Sequence, residues 1–111
     1  MSEVHDEVAR HLDAIEAELR TLGWWDTERP SPEAFEFQQA FAIDTMAYAQ
    51  WLVFVFVPNV RAIIDDEGSF PTTSYVGTQA VREFDGQWEA NELTSLLADF
   101  DAYIESVAGQ T

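Results

Sequence analysis

The sequence contains no cysteine and no lysine, and each absence narrows what the chain can do. Without cysteine there is no disulfide, no thiolate metal site and no cysteine nucleophile, and the chain suits a reducing compartment. Its only strongly basic residues are five arginines, set against 21 acidic residues, so the formal net charge is −16. Such a charge repels nucleic-acid phosphates and attracts basic proteins. We therefore expect no direct nucleic-acid binding. Adaptation to high salt explains the same charge without any partner.

Long linkers, repeats and low-complexity stretches are missing as well. The 111 residues fit one domain, which we place at residues 1–111, and the 47% of hydrophobic residues supply an ordinary core. The N-terminus is acidic and amphipathic, unlike a secretory leader. The longest apolar run is shorter than the roughly 20 residues that span a bilayer. We expect a cytoplasmic protein that does not contact membranes.

The most informative segment is the apolar run at residues 51–57, which Pro58 follows. Its aromatic and β-branched composition would also suit a buried strand. We predict a helix, because the sequence offers no second strand of similar length to pair with it. Consecutive helical residues point in every direction around the axis, so this helix has no polar face. We expect either the aromatic segment 24–37 or a second copy of the chain to cover it.

Apolar residues three or four positions apart predict a longer amphipathic helix near each end of the chain. The first stripe runs from Val4 to Leu22, with Ser2 as the expected N-cap and Gly23 as the stop. The last stripe runs from Leu93 to Val107, with Asn91 as the expected N-cap and Gly109 just beyond it.

Shorter elements are predicted between these helices. Ser31 followed by Pro32 is typical of a helix start and predicts a short helix over residues 34–39. Residues 69–74 are a predicted loop, and residues 75–85 a helix that Gly77 weakens. Pro58 should kink the central helix, which we expect to run from residue 41 to residue 66. The fold class is therefore all-α, a single-domain four-helix bundle with a short extra helix and a proline-interrupted central helix.

Several motifs resemble those of the YqcC-like proteins, small helical bacterial proteins of unknown function. The motifs are Leu22-Gly-Trp-Trp, Pro30-Ser-Pro-Glu, Phe41-Ala-Ile-Asp-Thr and Gln50-Trp-Leu-Val-Phe-Val-Phe-Val-Pro58. The chain departs from the usual family pattern, which has proline at Ala40, glutamine at Val53 and arginine at Asn59. The resemblance implies an up-and-down four-helix bundle with no established activity. It also implies a gene that often lies beside one for a tRNA pseudouridine synthase.

The candidate site residues surround the start of the central helix. Asp44 and Thr45 either cap that helix or face a ligand together with Tyr48 and Trp51, which follow on the same helix face. The amide of Gln50 lies against the apolar run, so it makes either a structural hydrogen bond or a ligand contact.

Two functions from different classes fit these residues. The first is a non-enzymatic protein-interaction module, with an apolar and aromatic surface near Trp24, Trp25 and Trp51 that binds a second copy or a basic protein. The second is a small-molecule-binding bundle with a pocket lined by Tyr48, Trp51 and Phe54. Plain core packing of the aromatic residues is the structural alternative to both.

No catalytic, cofactor or metal motif stands out. His11 follows Glu7 by four residues, a spacing that can hold a metal, but the helix offers no third ligand. Phosphate-binding glycine loops and nucleophile elbows are absent from the sequence. We expect neither enzymatic activity nor a cofactor.

Overall fold

A computed structural model describes residues 3–36, 40–42 and 45–108, and every regular element among them is helical. Four helices form the bundle, and the predicted all-α four-helix fold is confirmed. We name them α1 (Glu3–Thr21), α2 (Tyr48–Trp51, Leu52–Phe56 and Val57–Asp65 in succession), α3 (Val76–Glu83) and α4 (Asn91–Ala108). Short 3₁₀ turns lie at Pro32–Phe35, Ala40–Ala42 and Trp88–Ala90.

Helices α1 and α4 are built as their apolar spacing predicts. Helix α4 packs along α1 and against α3, while α1 also packs against the last part of α2. The stripe of α1 is fully buried at its centre, and Gly23 follows the helix with a φ of 79°, a backbone angle that favours glycine. The buried apolar side chains from these two helices are Val8, Leu12, Ile15, Leu19, Leu93, Leu97, Phe100 and Ile104.

Helix α2 contains a π-helical turn at Leu52–Phe56, immediately before Pro58. Proline has no N–H and its ring clashes with the carbonyl four residues earlier, so a regular α-helix cannot continue through it. The N–H of Val57 bonds instead to the carbonyl of Leu52, five residues back. The predicted interruption of the hydrogen-bond ladder thus takes the form of a widened turn.

The start of α2 differs from the prediction. The helix begins at Tyr48, so the expectation that Asp44 and Thr45 open it is wrong. The hydroxyl of Thr45 donates instead to the carbonyl of Ala34, at 2.6 Å. The side chain of Gln50 accepts the N–H of Ala47, the residue before the helix, and so does the work of a cap. Asp44 lies outside the described residues, as do Ser2, Phe37 and Gly109.

The apolar run of α2 is covered by this chain's own connection between α1 and α2. Leu52, Val53, Phe56 and Val57 are buried, and the other three side chains of the run are half-buried. The Arg29 guanidinium stands over the ring of Phe54, at 5.4 Å, and Phe41 lies edge-on to Trp51 at 5.1 Å. Arg29 belongs to the segment 24–37 that was expected to cover the run, whereas the aromatic cover over Trp51 comes from Phe41, just beyond that segment.

Three local predictions need adjustment. The short helix after Ser31 is a single 3₁₀ turn, Pro32–Phe35, which ends before the predicted residue 39. Asn91 is not a cap, because it already has helical dihedral angles and the Trp88–Ala90 turn leads directly into α4. Helix α3 is slightly shorter than predicted, and the loop at residues 69–74 is confirmed.

Within residues 3–36, 40–42 and 45–108, no helix is both long and apolar enough to cross a membrane.

Candidate functional site

A cavity of about 310 Å³ opens between α2, α4 and the chain that leads into α3. Among the described residues, its lining carries no charged side chain. The polar lining side chains are those of Asn59, Thr73 and Ser74. We call this cavity the aromatic groove and define it by its six aromatic lining residues, Phe41, Trp51, Phe56, Phe70, Tyr75 and Phe100.

Four aromatic side chains of the groove belong to a continuous series of ring contacts, namely Phe41, Trp51, Phe56 and Phe100. Trp51 stacks on Tyr48, with centroids 5.6 Å apart, and on Phe56, with centroids 5.7 Å apart. Phe56 in turn meets Phe100 edge-on at 5.2 Å. Because each ring is held by its neighbours, this wall of the groove is fixed before any ligand arrives.

The stacking of Trp51 on Phe56 follows from the π-helical turn. In a regular α-helix, residues five apart point about 140° away from each other. A π-helical turn bonds residues five apart and brings them to one side of the helix. Pro58 therefore contributes to the groove, because the widened turn in front of it places both rings in the same wall.

The opposite wall, residues 70–76, is fixed by a buried carboxylate of α4. Asp101 accepts the backbone N–H of Val76 at 3.1 Å and that of Gly77 at 2.7 Å, and its Oδ1 also accepts the hydroxyl of Ser74. These bonds satisfy the first N–H groups of α3, which its own residues leave without a cap. Asp101 is the single buried polar or charged residue among those that the structure describes.

Tyr48 completes this anchoring from α2. Its hydroxyl donates to the carbonyl of Val76 at 2.6 Å, and its side chain is buried. Burial raises the pKa of the Tyr48 hydroxyl, and the negative charges of Asp101 and Glu83 raise it further. Tyr48 is therefore a neutral hydrogen-bond donor and does not ionise in the folded protein at ordinary pH.

The rim of the groove is exposed to solvent. Tyr75 is 58% exposed, and Asn59 is exposed on α2. Asp66 follows Ile63, another lining residue, by three positions, so it lies on the same side of α2. The nearby arginine of α2, Arg61, is turned to α1, where it bonds to Asp13 at 2.6 Å.

Comparison with known proteins assigns the chain to a family. A family model described as "DUF446: tRNA pseudouridine synthase C" matches residues 7–103. The chain belongs to the DUF446 family. An uncharacterised protein from Haemophilus influenzae is 30% identical over 105 residues, which cover 92% of this chain and 93% of that protein.

The solved structure of a DUF446-like protein confirms the fold. The solution NMR structure of YqcC from Escherichia coli matches with a TM-score of 0.80 and 28% identity, over 94% of this chain and 90% of that one. The resemblance to the YqcC-like proteins is thereby confirmed. A protein from Pectobacterium carotovorum named "tRNA pseudouridine synthase C" is 36% identical over 66 residues, which cover 60% of this chain but 18% of that protein.

The candidate residues named from the sequence of this DUF446 member lie in several places. Trp51 lines the groove, whereas Tyr48 is buried and lines a separate cavity together with Trp24, and Phe54 lies beneath Arg29. The three residues expected to line one small-molecule pocket therefore do not share a cavity. Gln50 uses its amide in structural bonds, since it donates to the carbonyl of Glu28 at 3.0 Å and accepts from Ala47 at 2.9 Å.

The two adjacent tryptophans lie apart from the groove. Trp24 packs against Phe84 at 5.3 Å and lines a second cavity of about 300 Å³. Trp25 lies under the guanidinium of Arg20 at 4.6 Å. Asp44, the remaining candidate, falls outside the described residues. The surface expected near Trp24, Trp25 and Trp51 is thus divided, and only Trp51 belongs to the aromatic groove.

Sequence reasoning missed the far side of the groove. Phe70 lies within the segment 69–74 that was predicted to be a plain loop, Tyr75 directly follows that segment, and Phe100 belongs to the core stripe of α4. The available signal was the aromatic pair, Phe70 and Tyr75, near the two ends of that polar loop.

In the part of the chain that the structure describes, no three His, Cys, Asp or Glu side chains are grouped so as to hold a metal ion. His11 stacks on Tyr103 at 5.3 Å.

Proposed function

We propose that this chain is a non-enzymatic protein-interaction module that binds a basic partner protein through the aromatic groove. The observation that carries the proposal is an open groove with an uncharged aromatic lining on a chain of net charge −16. Apolar grooves with exposed aromatic rims commonly bind proteins. The acidic surface favours association with a basic partner and disfavours a nucleic acid.

The partner that we propose is a tRNA-modifying enzyme. The family model carries the description of a tRNA pseudouridine synthase, and a stretch similar to this chain occurs within a longer protein of that name. A domain that shares a chain with an enzyme in one organism can bind the enzyme as a separate chain in another.

The test is to measure, by calorimetry, the binding of this protein to the tRNA pseudouridine synthase C of the same organism. We expect a saturable complex that Tyr75→Ser weakens about tenfold or more, because exposed aromatic anchors carry much of the energy of an interface. Trp88→Ser is the matched control, since Trp88 is 79% exposed but does not line the groove. Absence of any complex would contradict the choice of partner, and equal weakening by both variants would contradict the role of the groove.

A further inference from the structure

We infer that the segment which the aromatic groove accepts is a short stretch of protein whose apolar side chains alternate with arginine or lysine. This inference rests on the proposed function and specifies its partner chemistry. It depends on three features of the described residues: the uncharged aromatic lining, the position of Asp66 on the groove side of α2, and the pairing of Arg61 with α1.

The lining favours apolar groups and cations over anions. Aromatic faces attract arginine and lysine head groups, and the long stems of these side chains pack on the same rings. Tyr75 offers such a face at the rim, and Asn59 offers an exposed amide. The volume of about 310 Å³ is at the lower limit of small-molecule pockets, and it suits a few side chains of an extended or helical segment.

Asp66 is the carboxylate on the groove side of α2, whereas Asp65, two positions after the lining residue Ile63, points to the other side of the helix. Asp65 and Asp66 are both exposed at the C-terminus of the helix, where the helix dipole disfavours negative charge. Their position therefore does not serve the stability of α2. Arg61 could neutralise them from the preceding turn, but it is paired with Asp13 and lies 3.8 Å from Glu16 on α1.

Charge also separates this occupant from the alternatives. A second copy would bring another chain of net charge −16 to this one, and like charges oppose such a contact. A nucleic acid would bring phosphates to the same acidic protein. A cationic apolar segment satisfies the rings and the carboxylates together.

The experiment uses three synthetic peptides of equal length, measured by fluorescence anisotropy against the whole protein. One alternates leucine and phenylalanine with arginine, the second has glutamate in place of arginine, and the third keeps arginine but has serine in place of the apolar residues. We expect only the first to bind saturably. Equal binding of the glutamate peptide would overturn the charge preference, and equal binding of the serine peptide would overturn the role of the groove.

Variants of the protein give a readout that a structural defect would not mimic. Asp65→Asn with Asp66→Asn should weaken the arginine peptide roughly threefold to tenfold, while the melting temperature stays level or rises. Tyr75→Ser should weaken it about tenfold or more, and Trp88→Ser should leave it unchanged. Unchanged affinity in the double asparagine variant would overturn the inference.

Failure of this inference is distinguishable from failure of the proposed function. If no peptide binds while the pseudouridine synthase still binds and Tyr75→Ser still weakens that complex, the peptide chemistry is wrong and the interaction module stands. If the arginine peptide binds but the synthase does not, the groove chemistry is correct and the partner is another basic protein. Self-association that Tyr75→Ser abolishes would overturn the inference in favour of a second copy.

Discussion

Gly77 of α3 and Ala98 of α4 are in backbone contact: a Cβ on Gly77 would stand 2.6 Å from both the Cα and the N of Ala98. The two helices therefore cross at Gly77, because only glycine, which has no Cβ, lets their backbones approach this closely. Gly77, which weakens α3 as a local sequence, is what allows α3 to pack.

Gly77→Ala should lower the free energy of unfolding by about 2–3 kcal/mol, measured by urea denaturation, because the helices must separate. The higher helix propensity of alanine offsets only about 1 kcal/mol. Adding Ala98→Gly should not rescue the variant, since the clash is with backbone atoms. Gly68→Ala is the control, because a Cβ there meets its neighbours at an ordinary 3.8 Å. Rescue by Ala98→Gly would show that the clash is misassigned.

Asp101 should be the most costly carboxylate to remove. Asp101→Ala leaves the N–H groups of Val76 and Gly77 without their acceptor, and we expect a loss of about 2–4 kcal/mol in the free energy of unfolding. Asp99→Ala removes the same charge from an exposed position two residues earlier and should stay within about 0.5 kcal/mol of the wild type. A comparable loss in the two variants would mean that charge, and not capping, is responsible.

Both the oxygen and the nitrogen of the Gln50 amide should contribute to the stability of the fold. Gln50→Ala loses the bonds to Ala47 and Glu28, and we expect about 1–2 kcal/mol of destabilisation, with faster hydrogen exchange at the Ala47 amide. Gln50→Glu keeps the acceptor for Ala47 but turns a carboxylate oxygen toward the carbonyl of Glu28, so it should not restore full stability. Gln87→Ala, at an exposed glutamine, is the matched control. Full stability in Gln50→Glu would limit the role of Gln50 to the Ala47 bond.

Tyr48 should make the protein sensitive to alkali. Its pKa is raised above the ordinary 10.0 in the folded state, so its contribution to stability is complete below pH 10. Above that pH the unfolded state releases a proton that the folded state keeps, and stability falls by up to about 1.4 kcal/mol per pH unit. Tyr48→Phe should flatten this alkaline limb, whereas Tyr75→Phe should not. The ultraviolet absorbance of tyrosinate should show one phenol of the three ionising only on unfolding.

Sodium chloride should raise the melting temperature. The formal net charge is −16, and the Debye length falls from about 10 Å at 0.1 M salt to about 3 Å at 1 M, which weakens repulsion among the carboxylates. An increase of about 5–10 °C would correspond to about 1–2 kcal/mol for a domain of this size. A melting temperature that stays constant or falls as salt is added would contradict the idea that repulsion destabilises the fold.

The helices at the two ends of the chain could be predicted because their information is local. The stripe that includes Leu12 and Ile15, and the one that includes Leu97 and Ile104, repeat at the helical period, and burial follows the period. The start of α2 could not be read in the same way. Asp44 and Thr45 are favoured cap residues, yet Gln50 reaches back to Ala47 from inside the helix and supplies the missing contact.

The groove was only partly predictable, because its two walls come from distant parts of the chain. Trp51 stood out as the first residue of the apolar run. Phe70 and Tyr75 become lining residues only because Asp101 fixes the start of α3, and no local pattern records a bond between residues 25 positions apart. The division of Trp24, Trp25 and Trp51 among different surfaces is likewise a consequence of tertiary packing.

The widened turn at Leu52–Phe56 also limits how this segment can change in length. Removing one residue there would turn everything from Val57 to Asp65 by about 100° around the axis relative to the helix before it, and the clash of Pro58 with the preceding turn would remain. Val60 and Ile64 would leave the interior, and Arg61 would swing away from Asp13. The number of residues in this stretch is therefore constrained by the packing on both sides of it.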